Sequence, residues 1–206
     1  MRRRCVSVPQ RPDGRYAGRT MVCPSRLSGF CCKLPCTPLY DGGRKPRFGS
    51  CYPFCPPARI HYGINPNDIA SVGFSAGGIL CGDEALNFDE LVNGTALASD
   101  YRPDALDEVS ANVCTIGMIY AFYGRLSVAS TDVEKFRASK IPPTFFAYGT
   151  RDPFYRQFQA CANAVHEAGV EVEEHEYEGM PHGFGYTHEE WMISFDRWMT
   201  EIMSNN

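Results

Sequence analysis

No glutamate occurs before Glu84, no apolar run is long enough to cross a bilayer, and only two tryptophans appear in 206 residues. A spanning helix needs about 20 consecutive apolar residues, so no membrane association is expected. Strong net charge is also lacking: 20 basic against 24 acidic residues leave −4. The chain as a whole therefore does not have the electrostatic footprint of a nucleic-acid binder. Internal repeats are absent, which excludes solenoids and propellers. The opening Met1-Arg2-Arg3-Arg4 is basic, but no apolar stretch follows it. No secretory signal is expected on that pattern, and the cytoplasm is the default compartment.

What is present is unevenly distributed. Residues 1–57 hold 11 Lys and Arg but only 2 acidic residues, a net of +9; the remainder holds 9 basic and 22 acidic residues, a net of −13. Seven of the ten cysteines and nine of the fifteen prolines also lie in 1–57. That density of proline opposes helices and central strands. Residues 1–57 are expected to be an irregular basic segment, and residues 58–206 a single α/β domain large enough to bury a core.

Residues 58–206 alternate between strand and helix patterns. Ile69–Phe74 reads as a short buried strand and Ala76–Leu86 as the helix after it. Val113–Tyr123 is almost continuously apolar, as in a central parallel strand covered on both faces. Thr144–Tyr148 is another buried strand. A helix is expected from about Pro153 to Ala168, with Phe158, Cys161, Ala162 and Val165 on one face and Gly169 ending it. Val170–Tyr177 alternates as a strand nearer the sheet edge. In the last helix, about His188 to Met203, Trp191, Phe195, Trp198 and Ile202 form a packing stripe. Repeated strand–helix units imply a parallel α/β sheet.

One junction carries chemical meaning. In Gly73-Phe74-Ser75-Ala76-Gly77-Gly78 a serine stands between glycines where a strand turns into a helix. Such a turn can hold the serine hydroxyl above the sheet, as in a nucleophile elbow. Strand and helix then approach so closely that side chains at Gly73 and Gly77 are expected to collide. The Ala76 N–H points at the same spot and can stabilise an oxyanion. A glycine-rich turn without chemistry has the same spelling.

A serine needs a base, and the base needs an orienting acid. Tyr148-Gly149-Thr150-Arg151-Asp152-Pro153 puts Asp152 just past the carboxyl end of a buried strand, where open α/β sheets carry functional groups. Asp before Pro is also a helix start, and the two roles are compatible. Gly179-Met180-Pro181-His182-Gly183-Phe184-Gly185 puts His182 in the loop after the next strand. The other histidines fit less well: His61 precedes the serine, His166 lies on a helix, His175 lies in a strand and His188 opens the last helix.

With these motifs, together with Tyr62-Gly63-Ile64-Asn65-Pro66-Asn67 and Ser99-Asp100-Tyr101-Arg102-Pro103-Asp104, residues 58–206 resemble the α/β-hydrolase superfamily, specifically its acetyl-xylan-esterase-like or carbohydrate-esterase-like serine hydrolases. The resemblance implies an incomplete α/β-hydrolase fold. It implies Ser75 as nucleophile, His182 as general base and then acid, and Asp152 as the group orienting His182. The Ala76 N–H would be one oxyanion donor. The implied reaction is hydrolysis of a carboxylic ester, small or on a carbohydrate, through an acyl-serine, with no metal or organic cofactor. Tyr101, Arg102 and Tyr123 stand near the expected pocket, or serve packing.

The first 57 residues depart from the family. Its His-Gly-Gly-Gly oxyanion motif, expected well before the serine, has only Tyr40-Asp41-Gly42-Gly43 as a counterpart, with no apolar strand before it. The family's early strands, expected beside the nucleophile strand, are not readable either. Asp83-Glu84 stand where small apolar residues would pack better. The expectation for 1–57 is a shifted reading frame or misjoined gene start, which translation of the other frames upstream of Ala58 tests. Alternatives are a zinc knuckle on Cys31, Cys32, Cys36, Cys51 and Cys55, a disulfide framework, or a basic arm binding RNA or another anionic surface. An inactive hydrolase fragment is the competing functional reading.

Overall fold

A computed structural model describes residues 68–87, 102 and 112–205. The segment 1–57, its cysteines, Tyr40–Gly43, Tyr62–Asn67 and Tyr101 lie outside the described residues. Four strands, β1 (Ala70–Phe74), β2 (Thr115–Ile119), β5 (Thr144–Gly149) and β6 (Val172–Tyr177), form a parallel sheet in the order β1-β2-β5-β6. A two-residue-stranded hairpin, β3 (Gly124–Arg125) with β4 (Val128–Ala129), follows β2. The helices are α1 (Ala76–Asn87), α2 (Val133–Ser139), α3 (Tyr155–Glu167) and α4 (Glu190–Ser204), with a 3-10 turn at Phe184–Tyr186.

β2 is buried at all five positions because helices cover both of its faces. A side chain at Gly117 would meet Phe195 of α4, whereas the neighbouring Met118 touches Gly82 of α1. The alternation continues in β5: Phe145 packs edge-on against Phe195, and Phe146 against Tyr123. α3 buries Phe158, Cys161, Ala162 and Val165, and α4 buries Trp191, Phe195, Trp198 and Ile202. These are the faces that the apolar spacing specifies. α3 ends at Gly169, with φ +87, where the Gly169 N–H donates to His166 O and the Val170 N–H to Val165 O. This double bond pattern satisfies the last carbonyls of the helix.

The elements differ from the sequence reading at several points. The apolar run Val113–Tyr123 is not one strand: Tyr120 takes a left-handed conformation, φ +40, and stops β2 at Ile119. Apolarity continues past that point because Tyr120, Ala121, Phe122 and Tyr123 are themselves buried. α2 lies in a stretch with no strong apolar period; its start is marked by Asp132, whose carboxylate accepts the Lys135 N–H at 3.0 Å. The last helix begins at Glu190 rather than His188.

Candidate active site

β1 delivers Ser75 at its carboxyl end. The Ser75 N–H still bonds to Ile119 O at 3.0 Å, as though the ladder continued, but the residue itself has φ +51. A non-glycine residue in this region is strained. The carbonyl of Ser75 then accepts the N–H groups of Gly78 and Ile79, which starts α1. Ala76 is the first residue of α1 and is exposed; its N–H has no acceptor within the helix.

The close approach at this turn is real, but its glycines are not the expected pair. A side chain at Gly73 would strike the backbone of Gly77 and Gly78, and one at Gly78 would strike Ala121 and the Gly73 carbonyl. At Gly77 an added Cβ meets nothing within 4 Å among the described residues. The crossing point is therefore Gly73 against Gly78, because the helix turns its third residue after the serine, not its second, toward the strand.

Asp152 follows β5 and His182 follows β6. The two loops are tied together by backbone: Thr150 N–H donates to Tyr177 O, and Arg151 N–H to Met180 O, both at 3.1 Å. Gly149 permits this, since a Cβ there would run into the Met180 carbonyl. The Asp152 side chain is fully buried, while that of His182 is 33% exposed. Asp152 Oδ2 lies 2.6 Å from His182 Nδ1, and Ser75 Oγ lies 2.7 Å from His182 Nε2. An ionised carboxylate only accepts, so Nδ1 carries the ring proton; Nε2 then accepts from the serine hydroxyl. Asp152 Oδ1 accepts the Phe154 N–H at 2.9 Å, one turn ahead of α3.

Sequence reasoning missed two neighbours of the histidine. The Tyr120 ring stands edge-on to the His182 ring at 4.9 Å, and the Phe154 ring at 5.8 Å. Nothing in Ile119-Tyr120-Ala121 sets Tyr120 apart from its apolar surroundings. Tyr123 proves to be packing: it is fully buried and donates to Thr144 Oγ1 at 2.8 Å, which itself donates to Pro142 O. Thr144 opens β5, so this contact lies at the end of the sheet away from Asp152. Arg102 is exposed.

In α1, Asp83 is exposed but Glu84 is buried, and neither Glu84 oxygen has a hydrogen-bond partner among the described residues. Burial, aided by the Asp83 charge, pushes its carboxyl up to about 7. Among the described residues no group of three His, Cys, Asp or Glu could hold a metal, and no helix is long and apolar enough to cross a membrane.

The family profile of the α/β-hydrolase fold matches residues 55–186, which include Ser75, Asp152 and His182. The chain belongs to the α/β-hydrolase fold family. Similar solved structures include an acetyl ester-xyloside bifunctional hydrolase from Caldicellulosiruptor lactoaceticus, at 22% identity and TM-score 0.51, covering 69% of this chain and 60% of that one. A thermophilic esterase from Thermogutta terrifontis is similar at 19% identity and TM-score 0.51, covering 70% of this chain and 61% of that one. A sugar hydrolase from Lactococcus lactis is similar at 15% identity and TM-score 0.53, covering 77% and 68%. No curated protein sequence matches. The α/β-hydrolase chain thus spans about 60% of the length of the first two structures.

Proposed function

We propose that this α/β hydrolase is a serine esterase whose catalytic unit lies in residues 58–206. The reading is carried by the unbroken chain from Ser75 Oγ through His182 to Asp152, with contacts of 2.7 and 2.6 Å. Ser75 Oγ attacks the ester carbonyl carbon while its proton passes to His182 Nε2. Asp152 steadies the imidazolium that forms, and the Ala76 N–H donates to the carbonyl oxygen as it becomes an oxyanion. Collapse of the tetrahedral intermediate breaks the bond to the alcohol, which takes the proton from Nε2. Water then attacks the acyl-serine, giving its proton to Nε2, and the carboxylic acid leaves as the serine hydroxyl is restored.

For the substrate we propose an acetyl or other short acyl ester, carried on a small alcohol or a sugar. The names of two similar structures, an acetyl ester-xyloside hydrolase and a sugar hydrolase, favour this class. The site's own chemistry requires no metal or organic cofactor.

A second reading is a fragment that keeps the three side chains but does not turn over. Two observations favour it. Among the described residues β1 is at the sheet edge, with Val72 41% exposed, and only one oxyanion donor is located there. Loss of one such donor costs about 10²–10³ in turnover. Purified protein treated with a fluorophosphonate probe and assayed on p-nitrophenyl acetate, beside Ser75→Ala, separates the two. Labelling and hydrolysis that vanish in the variant support the esterase. Folded protein that takes no label supports the fragment.

A further inference from the structure

We propose that Tyr120 and Phe154 are positioning residues that bracket the His182 ring and hold it in line between Asp152 and Ser75. The inference rests on the esterase reading of the site and adds to it two residues whose rings pack on the base.

His182 is the least anchored member of the chain of three. It sits in a loop, its side chain is 33% exposed, and among the described residues its polar contacts are with the Ser75 hydroxyl and the Asp152 carboxylate. Two hydrogen bonds at opposite ends of a ring fix its long direction but leave it free to roll about that axis. Rings on its flanks remove that freedom. Tyr120 stands at 4.9 Å with an interplanar angle of 67°, and Phe154 at 5.8 Å with 71°. Both are edge-to-face geometries that aromatic pairs prefer.

The bracket is itself rigid. Tyr120 is 3% exposed, and its N–H donates to Ala147 O at 2.7 Å. Its ring also packs on Phe74 at 5.9 Å and Phe184 at 5.4 Å. Phe74 precedes Ser75 and Phe184 follows the His182 loop, so one ring touches the flanks of both nucleophile and base. Gly185 leaves room for it: a Cβ there would lie 3.0 Å from Tyr120 Cε1 and 3.3 Å from Phe74 Cε1. Phe154 is held by contacts of its own, since its N–H donates to Asp152 Oδ1 and its ring meets Phe122 and Phe158. The left-handed Tyr120, φ +40, is the single backbone departure that turns its side chain from the strand direction toward the histidine. Strained non-glycine residues of this kind persist where the surroundings over-determine them.

The test compares Tyr120→Leu, Tyr120→Phe and Phe154→Leu in the full chain. Ring nitrogen shifts of ¹⁵N-labelled His182, assigned with His182→Gln, report which nitrogen carries the proton. The expected wild-type ring is a single Nδ1–H tautomer, and each Leu variant averages it with the Nε2–H form. Fluorophosphonate labelling of Ser75 is expected to slow about 10–100-fold in the Leu variants, because a base displaced by about 1 Å costs that order of rate. Tyr120→Phe keeps the ring and should restore both readouts. If Tyr120→Leu does not fold, Phe154→Leu, at a half-buried position, decides. An unchanged tautomer and rate in the Leu variants, or a wild-type ring already averaging, overturns the bracket. A wild-type protein with the ordered tautomer but no labelling overturns the esterase reading and leaves the bracket standing.

Discussion

Asp152 divides its carboxylate between a backbone and a ring: Oδ1 accepts the Phe154 N–H at 2.9 Å while Oδ2 meets His182 Nδ1 at 2.6 Å. The two jobs can be separated by substitution. Asp152→Asn keeps an oxygen for Phe154 but turns an amide toward the imidazole, which favours the wrong tautomer. The expected result is a fall in kcat of about 10⁴ with a melting temperature close to wild type. Asp152→Ala should lose activity and, with the backbone bond gone, about 1 kcal/mol of stability as well. Ester-hydrolysis kinetics and thermal melts on both variants check this.

Ser75 is held at φ +51. Ser75→Gly and Ser75→Ala both remove the hydroxyl, but only glycine relieves the backbone. The glycine variant is expected to be more stable than the alanine variant by about 1 kcal/mol. Urea unfolding measures the difference; equal midpoints would show that the turn carries no strain.

The glycines of the elbow are expected to behave oppositely. Gly78→Ala drives a methyl into Ala121 and the Gly73 carbonyl, with a cost of about 1–3 kcal/mol. Gly77→Ala meets nothing within 4 Å among the described residues and should stabilise the helix by about 0.5–1 kcal/mol. Denaturation of the two single variants decides it, and a destabilising Gly77→Ala would refute the assignment of Gly73 and Gly78 as the crossing point.

Glu84 gives a pH dependence with a definite sign. Its folded carboxyl is raised from the ordinary 4.5 to about 7. Its contribution to stability is therefore fully present below pH 4.5 and is lost as pH rises toward and through 7. Glu84→Gln removes that titration. The melting temperature of the variant should gain on wild type between about pH 5 and pH 8 and then run parallel. A difference that does not change with pH would mean Glu84 is not a buried acid.

The sheet and the helix faces were legible because their signals are periodic: Phe158, Cys161, Ala162 and Val165 point one way in any helix. The meeting of Ser75, Asp152 and His182 was legible for another reason. Each follows its own strand in a short loop, and their residue types and order suit one chemistry. Tyr120 was not legible, because a buried aromatic that turns a strand is spelled like one that continues it. The exchange of Gly77 for Gly78 was hidden too, since the helix phase at its first turn depends on the twist of the strand beneath. α2 was overlooked although Asp132 announces its start; a seven-residue helix with one buried residue, Phe136, leaves almost no period to read.

Ser75 and His182 are 107 positions apart, and β1 and β6 stand at opposite edges of the described sheet. The loop carrying His182 reaches back over the ends of β5 and β2 to meet the serine. No local segment can make that contact; every strand pairing in between must be in register first. Parallel pairings over such separations form slowly. A refolding chain is thus expected to recover its helical circular dichroism before its serine takes a fluorophosphonate label. The hydroxyl stays chemically silent until the last strand docks, which makes reactivity at one atom a timer for completion of the whole sheet.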